Sequence, residues 1–254
     1  MSDISLHKSD YSGQHKAFYY ICTMIIFYSQ WIEDGVAKLT DDECQHCSKV
    51  LRKKLGDPVY VTNGKGLLYS GVIGLVSKKV VEIADLVEIE NQKAPHTIGI
   101  AISPTKNIDR FEWFLEKATE IGITDIYPFI SDRSERKIIK PVRLEKRMIA
   151  AMKQSKNLYK PTLHPLQTLK AFLLELGDSA VVDKYIAHCM EPESGLQKLY
   201  KSGTDAVVLI GPEGDFTSDE VSLAKANKWK EVSLGKSRLR TETAGLVACH
   251  LLNL

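Results

Sequence analysis

The sequence lacks a long apolar run. Nowhere do the roughly 18–20 consecutive apolar residues of a membrane span occur. It lacks GxGxxG, which leaves a Rossmann dinucleotide site unsupported, and GxxxxGK followed by Ser or Thr, which removes a P-loop. It lacks the GxSxG of a serine-hydrolase elbow. HExxH is missing too, and the seven histidines show no paired metal spacing, so His46, His96 and His164 read as structural or surface residues. Charge of one sign is scarce. Lys and Arg number 34 against 32 Asp and Glu, so the +2 total does not by itself demand a polyanionic partner. Cysteine is sparse, odd in number (five) and irregular in spacing. That excludes a disulfide framework and fits a reducing cytoplasm.

What is present is an ordinary globular composition, 44% hydrophobic and 26% charged, able to bury a core. A chain of 254 residues suits one large domain or two modest ones. The basic residues cluster in Lys49–Lys54, Arg133–Lys140 and Lys153–Lys160. Each cluster alone reads as a solvated face. Three together favour a phosphate-rich partner. Cys44 and Cys47 have CxxC spacing, but a closed zinc site needs four ligands and no second pair lies at usable spacing. The segment reads instead as a helix, with Asp41 and Asp42 before it and Val50 and Leu51 on its apolar side. Residues 17–28 resemble a weak signal peptide without a cleavage site. The preferred reading starts the natural protein at Met24, with residues 1–23 a leader or N-terminal extension.

Residues 24–90 read as a small β-barrel with one helix. Strands are expected at Ile25–Tyr28, Pro58–Thr62, Leu67–Val76 and Lys79–Glu88, with a tight hairpin turn at Asn63-Gly64-Lys65-Gly66. Gly56-Asp57 is expected to close the helix carrying Arg52, Lys53 and Lys54. Residues 89–95 suit a linker. From residue 91 the pattern alternates strand and helix. Strands are expected at Ile98–Ile102, Asp125–Ile130, Ala180–Ile186, Ala206–Ile210 and Glu231–Leu234. Helices are expected at Asn107–Gly122, Pro141–Gln154 and Thr241–Leu254, and another opens at the capping box Thr217-Ser218-Asp219-Glu220. This alternation is α/β, a mostly parallel sheet with helices on both faces.

Ligands of open α/β sheets bind beyond the carboxyl ends of strands. Two such ends are unusual. Val207–Gly214 is an apolar strand ending in a rigid turn with two glycines. Leu234–Ala244 ends a strand in a basic loop and then starts a helix, whose free N–H groups could hold an anionic group.

At these loops the chain resembles the RsmE family of ribosomal RNA uridine-N3 methyltransferases, in the SPOUT (trefoil-knot) superfamily. Ile210–Phe216 (IGPEGDF) resembles that family's IGPEGGF, and Leu239–Ala244 (LRTETA) matches its C-terminal signature. Lys117–Gly122 with Arg133-Ser134 resembles KATELG…RS, and Gln154-Ser155 resembles the central QS pair. In the front region His46…Val50-Leu51-Arg52 and Gly56-Asp57…Asn63-Gly64 resemble its RNA-binding module. Asp215 stands in place of a glycine, Ser237 in place of an arginine, and the usual arginine after Gln154-Ser155 is missing.

The resemblance implies a PUA-like β-barrel ahead of a knotted methyltransferase domain spanning 91–254. It implies S-adenosylmethionine as cofactor, no metal, a homodimer, and 16S ribosomal RNA within the small ribosomal subunit as substrate. Adenine would then lie against the backbone of Leu209, Ile210 and Gly211 and of Leu234, Gly235 and Leu239, with Gly214, Thr241, Thr243 and Ala244 completing the site. Arg240 is the leading catalytic candidate, stabilising the developing uridine anion or gripping a phosphate. A structural ion pair is its plainer role. Glu213 and Glu242 are both candidates to accept the N3 proton or orient the base. Arg52, Lys53, Lys54, Arg133, Arg136 and Lys156 are candidate phosphate contacts. Gln154 joins them as an RNA contact, and Tyr159 is a candidate stacking residue. The rival readings are a knotted methyltransferase acting on another RNA, such as transfer RNA, and a non-catalytic RNA-binding assembly protein.

Overall fold

A computed structural model describes residues 24–177, 183–189 and 194–254. The leader expected at 1–23 lies outside the described residues, as do residues 180–182 of the strand expected from Ala180. The described residues divide into two compact units, 24–63 with 68–89 and 64–67 with 90–254.

The first unit is built on a six-stranded sheet in the order β1-β4-β5-β6-β3-β2. Its strands are β1 (Ile26–Tyr28), β2 (Trp31–Glu33), β3 (Val36–Thr40), β4 (Pro58–Thr62), β5 (Leu67–Val76) and β6 (Val80–Asn91). Alternate residues point inward, so Phe27, Leu39, Val61, Ile73 and Ile83 share one core. Cys44 and Cys47 belong to that core as free thiols, and burial pushes the Cys47 thiol up to about 11. The two are packing residues, and among the described residues no group of three or more His, Cys, Asp or Glu is placed to hold a metal.

The helix here differs from the sequence expectation. α1 (Asp41–Gln45) passes into a π-helical turn, His46–Val50, and stops. The Ser48 hydroxyl donates to the Cys44 carbonyl at 2.7 Å, and the Leu51 N–H reaches back five residues to His46. Arg52, Lys53 and Lys54 therefore lie on a loop, with Arg52 left-handed at φ 52. The Asp57 carboxylate accepts the Lys54 N–H at 2.8 Å, replacing a helical bond with a turn. Val50, expected on an apolar face, is exposed. β6 runs to Asn91, three residues into the expected linker, and β2 and β3 were not anticipated.

The second unit carries a seven-stranded sheet in which every pair is parallel. Its order is β10-β8-β7-β12-β11-β13, with β9 also on β8. The strands are β7 (Ile98–Ile102), β8 (Asp125–Ile130), β9 (Thr162–Leu163), β10 (Gln167–Thr168), β11 (Asp183–Ala187), β12 (Ala206–Ile210) and β13 (Lys230–Val232). β7 and β12 are buried on both faces, which is why they read as unbroken apolar runs. Ile98, Ile100, Val208 and Ile210 face one core with α2 (Ile108–Ile121), α3 (Pro141–Ser155) and α7 (Thr241–Leu252). Ala101, Val207 and Leu209 face the other, with α4 (Leu169–Gly177) and α6 (Ser218–Ala226). The short α5 (Leu196–Leu199) completes the set.

Local signals place the helix ends. The Asn107 side chain accepts the Asp109 N–H, Gly122 ends α2 at φ 111, and Pro141 opens α3. Thr217 and Glu220 form the expected capping box. At Gly245 a Cβ would stand 2.7 Å from the Phe114 ring, so the glycine lets α7 lie directly on α2. α4, α5, β9 and β10 were not anticipated.

Candidate cofactor and substrate site

The strands β11, β12 and β13 end side by side and open into a cleft of about 1090 Å³. The loop after β12 forms one wall. Gly211 and Pro212 are buried there, and the chain turns at Asp215 with φ 60. This loop is tied down at each step. The Glu213 carboxylate accepts the Lys106 N–H at 2.9 Å. Arg133 donates to the carbonyls of Gly214 (2.8 Å) and Phe216 (3.3 Å). The Asp215 carboxylate accepts the N–H groups of Cys189 (2.9 Å) and Phe216 (2.8 Å). Ser134 links the strand ends beneath, its hydroxyl lying 2.8 Å from that of Ser103 and accepting the Ser131 N–H.

The loop from Leu234 to Arg240 forms the opposite wall. Gly235 has φ 136, a backbone shape that side chains rarely adopt, and an added Cβ there would meet only open space. Arg238 and Arg240 are exposed, and neither guanidinium bonds to a described residue. Arg240 occupies the N-cap of α7 without capping it by its side chain, so among the described residues the first N–H groups of α7 have no side-chain cap. The structural ion pair considered for Arg240 is not seen among the described residues. Glu242, in the same first turn, is 7% exposed, and its Oε2 has no hydrogen-bond partner among the described residues. Its nearest cation is the Arg110 Nε, 3.9 Å from Oε1. Glu242 and Thr243 open onto an adjoining groove with Arg110, Trp113, Arg238 and Arg240.

Of the sequence candidates, the cleft gathers Ile210, Gly211, Glu213, Leu234, Gly235, Leu239, Arg240, Thr241 and Ala244. The Leu209 side chain points into the core on the other face of the sheet, so only its backbone is left for the expected contact. Gly214 packs on the Arg133 side chain instead of lining the cleft. Arg136 donates to the Thr105 and Lys106 carbonyls, so like Arg133 it is committed to loop backbone. Tyr159 is also committed. Its hydroxyl donates to Gln92 at 2.8 Å, and the ring packs on Gly66. Gln154 and Lys156 lie at the exposed end of α3, Lys156 as a left-handed C-cap.

The exit of β11 was missed altogether. It brings Ala187, His188 and Cys189 to the cleft. The buried His188 ring sits 3.1 Å from Glu231, which in turn binds Lys225 at 2.6 Å. Lys225, with His188 assisting, holds the Glu231 carboxyl below its usual range. Once β11 is known to pair with β12, the rule that ligands bind at strand ends would have found these residues.

The walls suit S-adenosylmethionine. Ile210, Leu234 and Leu239 offer apolar surface beside peptide groups for a purine, and uncapped α7 offers N–H groups for a carboxylate.

The RNA methyltransferase domain family matches residues 92–253, and the RNA methyltransferase PUA domain family matches residues 39–85. The chain is 28% identical to a ribosomal RNA small subunit methyltransferase E of Rickettsia conorii, over 87% of this chain and 90% of that one. Among solved structures, a probable rRNA-methyltransferase from Porphyromonas gingivalis is 38% identical with a TM-score of 0.80, covering 91% of this chain and 98% of that one. A ribosomal RNA small subunit methyltransferase E from Neisseria gonorrhoeae, bound to S-adenosyl methionine, is 27% identical with a TM-score of 0.77, covering 89% and 95%.

Proposed function

The chain belongs to the RNA methyltransferase domain family, and on that premise we propose that it methylates N3 of one uridine of 16S ribosomal RNA within the small ribosomal subunit. The observation that carries the reading is the cleft at three adjacent strand ends, walled by the two loops and closed by uncapped α7. S-adenosylmethionine, when bound there, supplies a methyl group on a sulfonium leaving group. The protein's own residues then have to align the acceptor, exclude water and manage one proton and one negative charge. Arg240 supplies a fixed positive charge at the rim for the developing uridine anion. Glu213 is engaged by the Lys106 N–H, whereas Glu242 holds an unpartnered oxygen beside the groove. Glu242 is therefore the better acceptor for the N3 proton. The half-exposed Trp113 indole in the same groove offers a stacking surface for a splayed base.

The loop bearing Arg52, Lys53 and Lys54, and the α3 end bearing Gln154 and Lys156, are proposed phosphate and RNA contacts. A trefoil knot is supported by β13 pairing on the far side of β11 while α7 returns to β7 and β12. We also propose a homodimer working in the cytoplasm. Among the described residues no helix is long and apolar enough to cross a membrane.

The test is transfer of labelled methyl groups to small subunits from a strain lacking this protein, followed by nucleoside mass spectrometry. N3-methyluridine at a single site is expected. Transfer only to another RNA, such as transfer RNA, would discard the substrate, and absence of both transfer and cofactor binding would leave a non-catalytic RNA-binding protein.

A further inference from the structure

Beyond Ala187 the exit of β11 brings His188 and Cys189 to the cleft, and each of these two is held from a different side. The His188 ring is held by Glu231 on β13. The Cys189 backbone is held by Asp215, whose Oδ2 accepts its N–H at 2.9 Å across the gap between two loops. The other oxygen, Oδ1, accepts the N–H of Phe216 at 2.8 Å. Asp215 makes these bonds from φ 60, a left-handed shape that disfavours a side chain and suits glycine. A glycine would hold this turn with less strain, and the Asp215 N–H to Pro212 carbonyl bond would remain. The side chain therefore adds something the turn itself does not need. Hydrogen bonds to a charged acceptor are the stronger kind, and two from one carboxylate fix two loops at once.

We infer that Asp215 is a positioning residue, a staple that holds the β11 and β12 loops at the spacing the cofactor requires. The inference rests on the cleft being the S-adenosylmethionine site. Preorganised walls lower the ordering cost of binding, so the staple acts on affinity and leaves the methyl-transfer step alone.

The test compares the full-length chain with Asp215→Gly and Asp215→Asn. S-adenosylmethionine affinity is read by calorimetry, and the Cys189 amide by hydrogen exchange. In Asp215→Gly the Cys189 amide should lose protection, and affinity should fall about tenfold, the scale of one charged hydrogen bond. The KM for S-adenosylmethionine should rise with it while kcat at saturation holds. Asp215→Asn keeps one acceptor oxygen and should recover part of the affinity. Thermal denaturation checks folding: Asp215→Gly should keep one cooperative transition and melt somewhat below the parent, since the two bonds lost outweigh the strain relieved. Unchanged Cys189 protection would overturn the staple. So would lost protection with unchanged affinity. Equal loss of affinity in Asp215→Asn and Asp215→Gly would overturn it in favour of a direct charge effect on the cofactor. Failure of the parent chain to bind S-adenosylmethionine would instead overturn the cofactor reading, and the same titration reports it.

Discussion

The two walls of the cleft are built by opposite rules. The loop after β12 is bonded inward at almost every residue: Glu213 to Lys106, Gly214 and Phe216 to Arg133, Asp215 to Cys189. The loop from Gly235 to Arg240 is exposed, and its Arg238 and Arg240 guanidinium groups bond to no described residue. One wall is fixed before any ligand arrives. The other keeps its two guanidinium groups exposed. A fixed wall suits a cofactor that must be presented in one pose, and an open cationic wall suits a flexible polyanion.

The contrast is broken most forcefully at Arg240. Arg240→Ala should lower methyl transfer by about 100-fold or more, the scale for removing one preorganised charge-stabilising group. S-adenosylmethionine affinity should fall much less, because Arg240 lies at the rim while Ile210, Leu234 and Leu239 offer the surface for the purine. A matching loss of cofactor affinity in calorimetry would mean that Arg240 belongs to the fixed wall. Arg133→Ala tests the other side. Loss of the guanidinium leaves the Gly214 and Phe216 carbonyls without their donor, so stability should fall by about 1–3 kcal/mol in urea denaturation. If the RNA salt dependence changed and stability did not, Arg133 would be an RNA contact after all. The smallest effect concerns acid stability. Lys225, helped by His188, holds the Glu231 carboxyl below its usual 4.5. A depressed carboxyl stabilises the fold above its unfolded pKa. That contribution is lost as pH falls from 4.5 through the lower folded value. The melting-temperature gap between the parent and Lys225→Met should therefore narrow below about pH 4, and a gap constant down to pH 3 would remove the pair from the account.

Much of this was legible in the chain. The runs Ile98–Ile102 and Ala206–Ile210 and the periodic Phe111, Phe114, Leu115 and Ala118 placed strands and a helix, because local pattern and burial agree there. The helix drawn through Arg52–Lys54 failed because hydrogen bonds from Ser48 and to Asp57 outcompeted helical ones, a contest that periodicity does not register. The charge of Arg133 and Arg136 and the ring of Tyr159, which make them candidate RNA contacts, are visible in sequence. Their backbone partners, many residues away, are not.

The sequence by itself determined the alternation of strands and helices, the capping of α6 and the two loops that carry the chemistry, since all of these are set by residues near one another in the chain. Only the tertiary structure decided that β11 lies between β12 and β13, which brings His188 and Cys189 to the cleft. It also decided which charges are bonded and which stay open. Strand order and long-range hydrogen bonds depend on groups that meet only when the chain folds, and no local pattern encodes those meetings.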